Sequence, residues 1–160
     1  MKNKIIVNIS DGKISSDPNA VLTTYSLGSC IGVSLYDHAV RIGGMLHYQL
    51  PSSSDSPDRA LDKPFMFADT GMKILIDKML YLGADKKRMQ IKIAGGAAMN
   101  TGPKGFDIGK RNHLAIRKVL WKHGMLIHAE DIGGTFPRNM YINIDNGIVT
   151  VRSNKLEKQL

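Results

Sequence analysis

Only two stretches of this chain repeat apolar residues at a helical period, and the other apolar runs have the length of strands. Phe67 to Leu82 places Met72, Leu75, Ile76, Met79 and Leu80 at i, i+3, i+4, i+7 and i+8, and Gly83 caps its end. Ile108 to His123 carries Leu114, Ile116, Val119 and Leu120, and Gly124 stops it. Around these lie short β-type segments: Lys4 to Ile9, Ala20 to Ser26, Cys30 to Tyr36, Arg41 to Gln49, Met89 to Ala94, Met125 to Ala129, Met140 to Ile144 and Ile148 to Arg152. Ile31, Val33 and Leu35 alternate with smaller residues, the period of a strand. Asp37-His38 turns the chain back, so Cys30 to Tyr36 and Arg41 to Gln49 read as a hairpin. Asn146-Gly147 suits a second, two-residue turn with positive φ at both positions. The expected architecture is α/β (α+β): a layered sandwich with a mixed, partly antiparallel sheet and two main helices.

With 160 residues the chain has the size of one domain. It is read as a single unit over 1–160, with its core at about 4–152 and a frayed polar tail at 153–160. Pro51 to Pro57 contains four serines and two prolines and reads as a loop, running on to about Pro64, which makes it a candidate flap. The first apolar run, Ile5 to Ile9, is too short for a secretory signal, and no stretch approaches the ~20 apolar residues of a membrane helix. The expected location is the cytoplasm, where the single cysteine stays a reduced thiol.

The net charge of +8 favours acidic partners. Lys and Arg are spread along the chain, with Lys86-Lys87-Arg88 the one tight cluster, and no aromatic residues interleave with them as nucleic-acid stacking would need. A solvated basic surface explains the charge equally well. Metal and nucleotide chemistry find little support. The sequence has no CxxC, HxxxH or HExxH spacing. The glycine-rich run from Gly95-Gly96 to Gly102-Pro103-Lys104-Gly105 lacks the ending of a P-loop and reads as the wall of a cleft. No cofactor is expected.

Two residues could carry covalent chemistry. Cys30 follows Leu27-Gly28-Ser29, where a glycine-bearing turn enters a strand. Such a turn offers free backbone N–H groups to an oxyanion, although a lone cysteine commonly just packs. Of five histidines, His47 alone falls near the end of the strand that should pair beside Cys30. A thiol and an imidazole brought together are the minimum for nucleophilic catalysis. Thr24 could orient the ring, although a strand threonine is ordinary.

The runs Thr24-Tyr25-Ser26-Leu27-Gly28-Ser29-Cys30, Gly44-Met45-Leu46-His47 and Leu50-Pro51 resemble the chemoreceptor glutamine deamidases, the CheD family. Lys92 to Ala97, Ile108 to Asn112 and Glu130 to Gly134 agree in the same order, so the similarity spans about Asn19 to Arg152. The resemblance implies a cytoplasmic hydrolase that converts receptor glutamines to glutamate. Cys30 would be the nucleophile, His47 the base and Thr24 its orienting residue, with the backbone around Gly28 and Ser29 holding the oxyanion. The implied partners are chemoreceptor cytoplasmic helices and a CheC-like phosphatase. Glutamyl methyl ester hydrolysis would follow from the same chemistry. One departure is visible at Gly133 to Arg138, where Pro137 stands before Arg138 in place of the family's usual glycine. Two rival readings are a non-catalytic adaptor docking through its basic surface and a nucleic-acid-binding module.

Overall fold

A computed structural model describes residues 1–99 and 107–160. The glycine-rich wall expected at Gly102 to Gly105 lies outside the described residues. The strands are β1 (Asn3–Ile6), β2 (Asp11–Ser15), β3 (Ala20–Leu27), β4 (Ile31–Asp37) and β5 (Ile42–Tyr48), then β6 (Gln90–Gly95), β7 (Ile127–Ile132), β8 (Arg138–Asn143), β9 (Val149–Ser153) and β10 (Leu156–Gln159). The α-helices are α1 (Pro57–Asp62), α2 (Ala68–Tyr81) and α3 (Ile108–Lys122).

The strands form two five-stranded sheets rather than the one expected. One has the order β1-β3-β8-β9-β10, the other β2-β5-β4-β6-β7. Each is mixed: β1 runs parallel to β3 and β6 parallel to β7, and the remaining pairs are antiparallel. The side chains of β4 sort the layers. Ile31, Val33 and Leu35 join Met72, Leu75, Ile76, Ile116 and Leu120 in a core between this sheet and the two long helices. Tyr36 and Met45 face the other way and join Leu22, Leu27, Met140, Ile142 and Val151 in a core between the sheets. The order is therefore sheet, sheet, helices. The middle sheet is covered on both faces, which is why β4 and β5 are buried along their whole length.

Several local expectations change. The segment after β5 is built from two 3₁₀ turns, Ser53–Asp55 and Pro64–Met66, flanking α1, and is not a plain loop. Asp69 anchors it, accepting from the backbone N–H and hydroxyl of Ser53. The tail expected to fray pairs with β9 as β10. On α3, Leu114 is exposed and the buried stripe is Gly109, Asn112, Ile116 and Leu120. At the β8–β9 connection Gly147 alone takes positive φ, at 73°, because the Gly147 N–H closes a wider turn on the Asn143 carbonyl.

The turn between β4 and β5 is tied to the loop after α2 through Asp37. Its buried carboxylate accepts from the N–H groups of Ala39 and Asp85 and from the Arg88 guanidinium. Burial alone would raise this carboxyl, but the Arg88 bond and the two N–H groups outweigh it and hold the pKa below its usual value. A depressed carboxylate stabilises the fold in full above its ordinary value of 3.8, and the contribution is lost as pH falls through the lower folded value. Replacing Asp37 by Asn should lower urea-unfolding stability at pH 7 by about 2–3 kcal/mol, with the gap to wild type narrowing on acidification.

Candidate active site

Thr24 and His47 meet in the core between the sheets. Thr24 comes from β3 in one sheet and His47 from β5 in the other. Thr24 Oγ1 lies 2.7 Å from His47 Nδ1 and 2.7 Å from the Val7 carbonyl oxygen. A carbonyl can only accept, so the hydroxyl gives its one proton to Val7. Oγ1 must then accept from Nδ1–H. This fixes the neutral tautomer of His47 with the proton on Nδ1 and a bare lone pair on Nε2. Nε2 is buried and has no hydrogen-bond partner among the described residues. An unpartnered buried nitrogen costs about 1–3 kcal/mol, and it is the atom a general base needs free.

Cys30 immediately precedes β4. Gly32 faces His47 across the β4–β5 ladder. Cys30 lies two residues earlier and packs, half-buried, against the core between the sheets, the side to which His47 also points. Diagonal neighbours in such a ladder have backbones about 7–8 Å apart, a gap that a side chain from each can span.

The turn carrying Cys30 is held by its carbonyls. The Gly28 carbonyl accepts from Ala97 N–H at 2.8 Å, that of Ser29 from Asn112 Nδ2 at 2.9 Å and that of Cys30 from Gly96 N–H at 2.9 Å. Gly95 has φ +119°, and a side chain there would collide with the Cys30 carbonyl, so only glycine fits. The N–H groups of Ser29 and Cys30 donate to no other residue among those described. The Gly28 N–H is already bonded to the Ser26 carbonyl. The lack of a side chain at Gly28 lets Met99 pack closely on the turn, for a Cβ there would stand 3.2 Å from the Met99 side chain. No motif chemistry marks Asn112 in the sequence beyond its run. Its signal was a polar residue on the buried stripe of an otherwise amphipathic helix.

Burial sets the charge of both reactive groups. It pushes the Cys30 thiol up to about 11, partly countered by the residue's own N–H. It pushes His47 down to about 4, partly countered by the Asp11 carboxylate on β2, which pairs directly with His47. At neutral pH both are uncharged, whereas a cysteine beside a protonated histidine would have its pKa lowered. A recess of about 490 Å³ lies elsewhere, between α2, α3 and Pro51–Asp55, and is edged by Lys73, Lys118 and Lys122. Among the described residues no group of three or more His, Cys, Asp or Glu gathers to hold a metal ion.

The depressed His47 predicts a pH dependence with a definite sign. Between pH 6.5 and about 4 the unfolded chain binds a proton at His47 that the folded chain refuses. Stability contributed by the neutral ring is therefore full above 6.5 and falls on acidification across that window. Urea unfolding of wild type should lose up to about 3 kcal/mol more over this range than His47→Gln does. Parallel curves for the two proteins would contradict the buried neutral ring.

The CheD chemotactic sensory transduction family model matches residues 49–153. The probable chemoreceptor glutamine deamidase CheD of Solibacter usitatus is 46% identical over 157 residues, covering 98% of this chain and 93% of that protein. The probable chemoreceptor glutamine deamidase CheD 2 of Anaeromyxobacter dehalogenans is 44% identical over 149 residues, covering 93% and 94%. A similar protein, CheD 1 of Syntrophus aciditrophicus, is 45% identical with 93% of each chain covered. Among solved structures, the hypothetical protein YfiH of Bacillus licheniformis aligns with a TM-score of 0.44 and 13% identity over 76% of this chain and 49% of that one, too weak a likeness to argue from. Matched by the family model over more than half its length, and by relatives of this identity nearly end to end, the chain belongs to the CheD family.

Proposed function

We propose that this chain is a chemoreceptor glutamine deamidase acting through Cys30 and His47, as one catalytic domain in the cytoplasm. The observation that carries this reading is the bare Nε2 of His47, held in its tautomer by Thr24 on the same side of the sheet as the thiol. The relatives' names supply the substrate: glutamine side chains of chemoreceptors.

The chemistry starts from a neutral pair. The Cys30 thiol proton passes to Nε2 as sulfur attacks the side-chain carbonyl carbon of glutamine, so neither charge forms alone in the buried site. The N–H groups of Ser29 and Cys30 receive the developing oxyanion, and Gly28 leaves room for the substrate to approach. His47, now protonated on both nitrogens, gives its Nε2 proton to the departing nitrogen, which leaves as ammonia. Water then attacks the thioester and gives a proton to Nε2. Sulfur leaves and is reprotonated, and the product is glutamate. A glutamyl methyl ester presents the same carbonyl and would be hydrolysed by the same steps. Thr24 keeps the imidazolium stable, because its oxygen goes on accepting from Nδ1–H throughout.

The basic face of α3, with Lys110, Arg117, Lys118 and Lys122, suits docking on acidic helices of a receptor cytoplasmic region. A CheC-like phosphatase is the regulatory partner that the family resemblance implies. Among the described residues no helix is long and apolar enough to cross a membrane. A pure adaptor would have no use for a buried base without a partner among the described residues, on the same side of the sheet as a thiol. Slow alkylation of Cys30 at neutral pH would not favour the adaptor, since the raised thiol makes it slow on either reading.

Ammonia release and glutamine-to-glutamate conversion should be measured on a receptor cytoplasmic fragment. Cys30→Ala and His47→Ala should show no turnover above background, and equal activity in wild type and Cys30→Ala would end the proposal. Thr24→Val leaves Nδ1–H without an acceptor and frees the ring to swap tautomers. It should cut kcat by about 10- to 100-fold with KM within about threefold.

A further inference from the structure

We infer that Asn112 is a positioning residue for the oxyanion donor, holding the Cys30 turn and the end of the His47 strand in fixed relation from inside the helical layer. The inference rests on the deamidase reading above and concerns how the same site is kept in register.

Asn112 is fully buried on α3, on the stripe that faces the middle sheet. Its Nδ2 makes two hydrogen bonds, to the Ser29 carbonyl at 2.9 Å and to the Gln49 carbonyl at 2.8 Å. Both acceptors are carbonyls, so the amide must present its NH₂ to them and both of its protons are used. The two carbonyls belong to the two halves of the site. Ser29 immediately precedes the nucleophile, and Gln49 lies two residues after the base. Cys30 and Gln49 are where the β4–β5 pairing would continue past its last rung, Ile31 with Tyr48. Asn112 thus joins the two chains where the ladder has stopped joining them.

The Ser29 bond has a specific consequence. The Ser29 carbonyl and the Cys30 N–H share one trans peptide unit, in which C=O and N–H point in opposite directions. Fixing the carbonyl on Asn112 therefore fixes the opposite heading of the Cys30 N–H, one of the two N–H groups of the turn that donate to no other residue among those described. The other donor, Ser29 N–H, is set in the same way by the bond from Ala97 N–H to the Gly28 carbonyl. Of the two, only the first depends on a side chain, and so only that one can be removed by substitution without altering the backbone.

The other atom of the amide argues against a role in packing alone. Asn112 Oδ1 is buried and has no partner among the described residues. A leucine on this stripe would fill space without stranding an acceptor, so the gain from asparagine lies in its two donated bonds. Helix α3 is itself pinned at this level, since Tyr48 Oη donates to the Asn112 carbonyl at 2.6 Å. The amide therefore works from a fixed base.

The test separates acyl chemistry from plain thiol chemistry. Alkylation of Cys30 by iodoacetamide is a displacement at carbon that forms no oxyanion, whereas deamidation forms one. Asn112→Ala and the smaller-donor variant Asn112→Ser should be compared with wild type, Cys30→Ala and Ile116→Ala. The last creates a cavity one turn along the same buried stripe, at a side chain with no polar atom to hold the turn. The expected result for Asn112→Ala is a kcat for deamidation lowered about 30- to 100-fold, KM within about threefold, and the alkylation rate at pH 9 within about threefold of wild type. Asn112→Ser should recover part of the kcat, and Ile116→Ala should lower the melting temperature but leave kcat within about twofold. Turnover of both Asn112 variants near the wild-type rate, with Cys30→Ala inactive, would overturn this inference and leave the deamidase reading standing. So would a parallel fall of kcat and alkylation in Asn112→Ala matched by Ile116→Ala, because general loosening would then explain both. Activity in Cys30→Ala would overturn the two together.

Discussion

The Thr24 hydroxyl has one proton, and the Val7 carbonyl takes it. From that follows the direction of the bond to His47, the tautomer of the ring and the identity of the free nitrogen. The arrangement needs the two sheets packed face to face, because Val7 and Thr24 belong with one and His47 with the other. The Val7 N–H in turn donates to the Thr23 carbonyl, so the acceptor is itself held by the sheet. The proton inventory of a single side chain in this way translates sheet packing into acid–base chemistry.

Burial works on the same site in the opposite sense to the usual activated thiolate. It lifts the Cys30 thiol and lowers His47, so the resting enzyme holds two neutral groups. A neutral pair is stable in a poorly solvated place, and in the proposed mechanism the ion pair appears only while the proton is in transit and the oxyanion is forming. The preorganised N–H groups of the turn then matter more, since they stabilise charge that the ground state does not carry. The Asp11 carboxylate on β2 adds a modest bias toward the imidazolium.

What the sequence made legible was what burial writes into a pattern. Strand β4, hidden on both faces, and the α2 stripe of Met72, Leu75, Ile76 and Met79 announced themselves, and the hairpin they implied put His47 on the rung beside the Cys30 turn. Segments with little burial left no such mark. β2 reads Asp-Gly-Lys-Ile-Ser and β10 Leu-Glu-Lys-Gln, and both are held by backbone ladders that side-chain periodicity does not report. The split into two sheets was illegible for a related reason. Alternation says that a strand has an inside face but not which layer covers it. Thr24 and Cys30 came from the family resemblance more than from spacing, and Asn112 was visible only as a polar interruption on a buried helical stripe.

The site draws on all three layers, and the layers contribute unequal things. On the proposed reading the middle sheet supplies both reacting groups, Cys30 from the turn entering β4 and His47 from the neighbouring β5. The outer sheet sets the tautomer of His47 through Thr24, and the helical layer holds the Ser29 carbonyl through Asn112, which on the inferred reading sets the heading of an oxyanion donor. Loosening the outer sheet would leave a thiol beside an imidazole that carries its proton on the wrong nitrogen for part of the time. Loosening α3 would leave a competent base and nucleophile facing an oxyanion with one donor misdirected. The two kinds of damage are distinct in principle: the first acts on proton transfer in both acylation and hydrolysis, the second on the charge that both tetrahedral species share. For the proposed chemistry a thiol and an imidazole on one side of the sheet are therefore necessary and not sufficient, and the surrounding layers fix two directions that the pair cannot fix for itself.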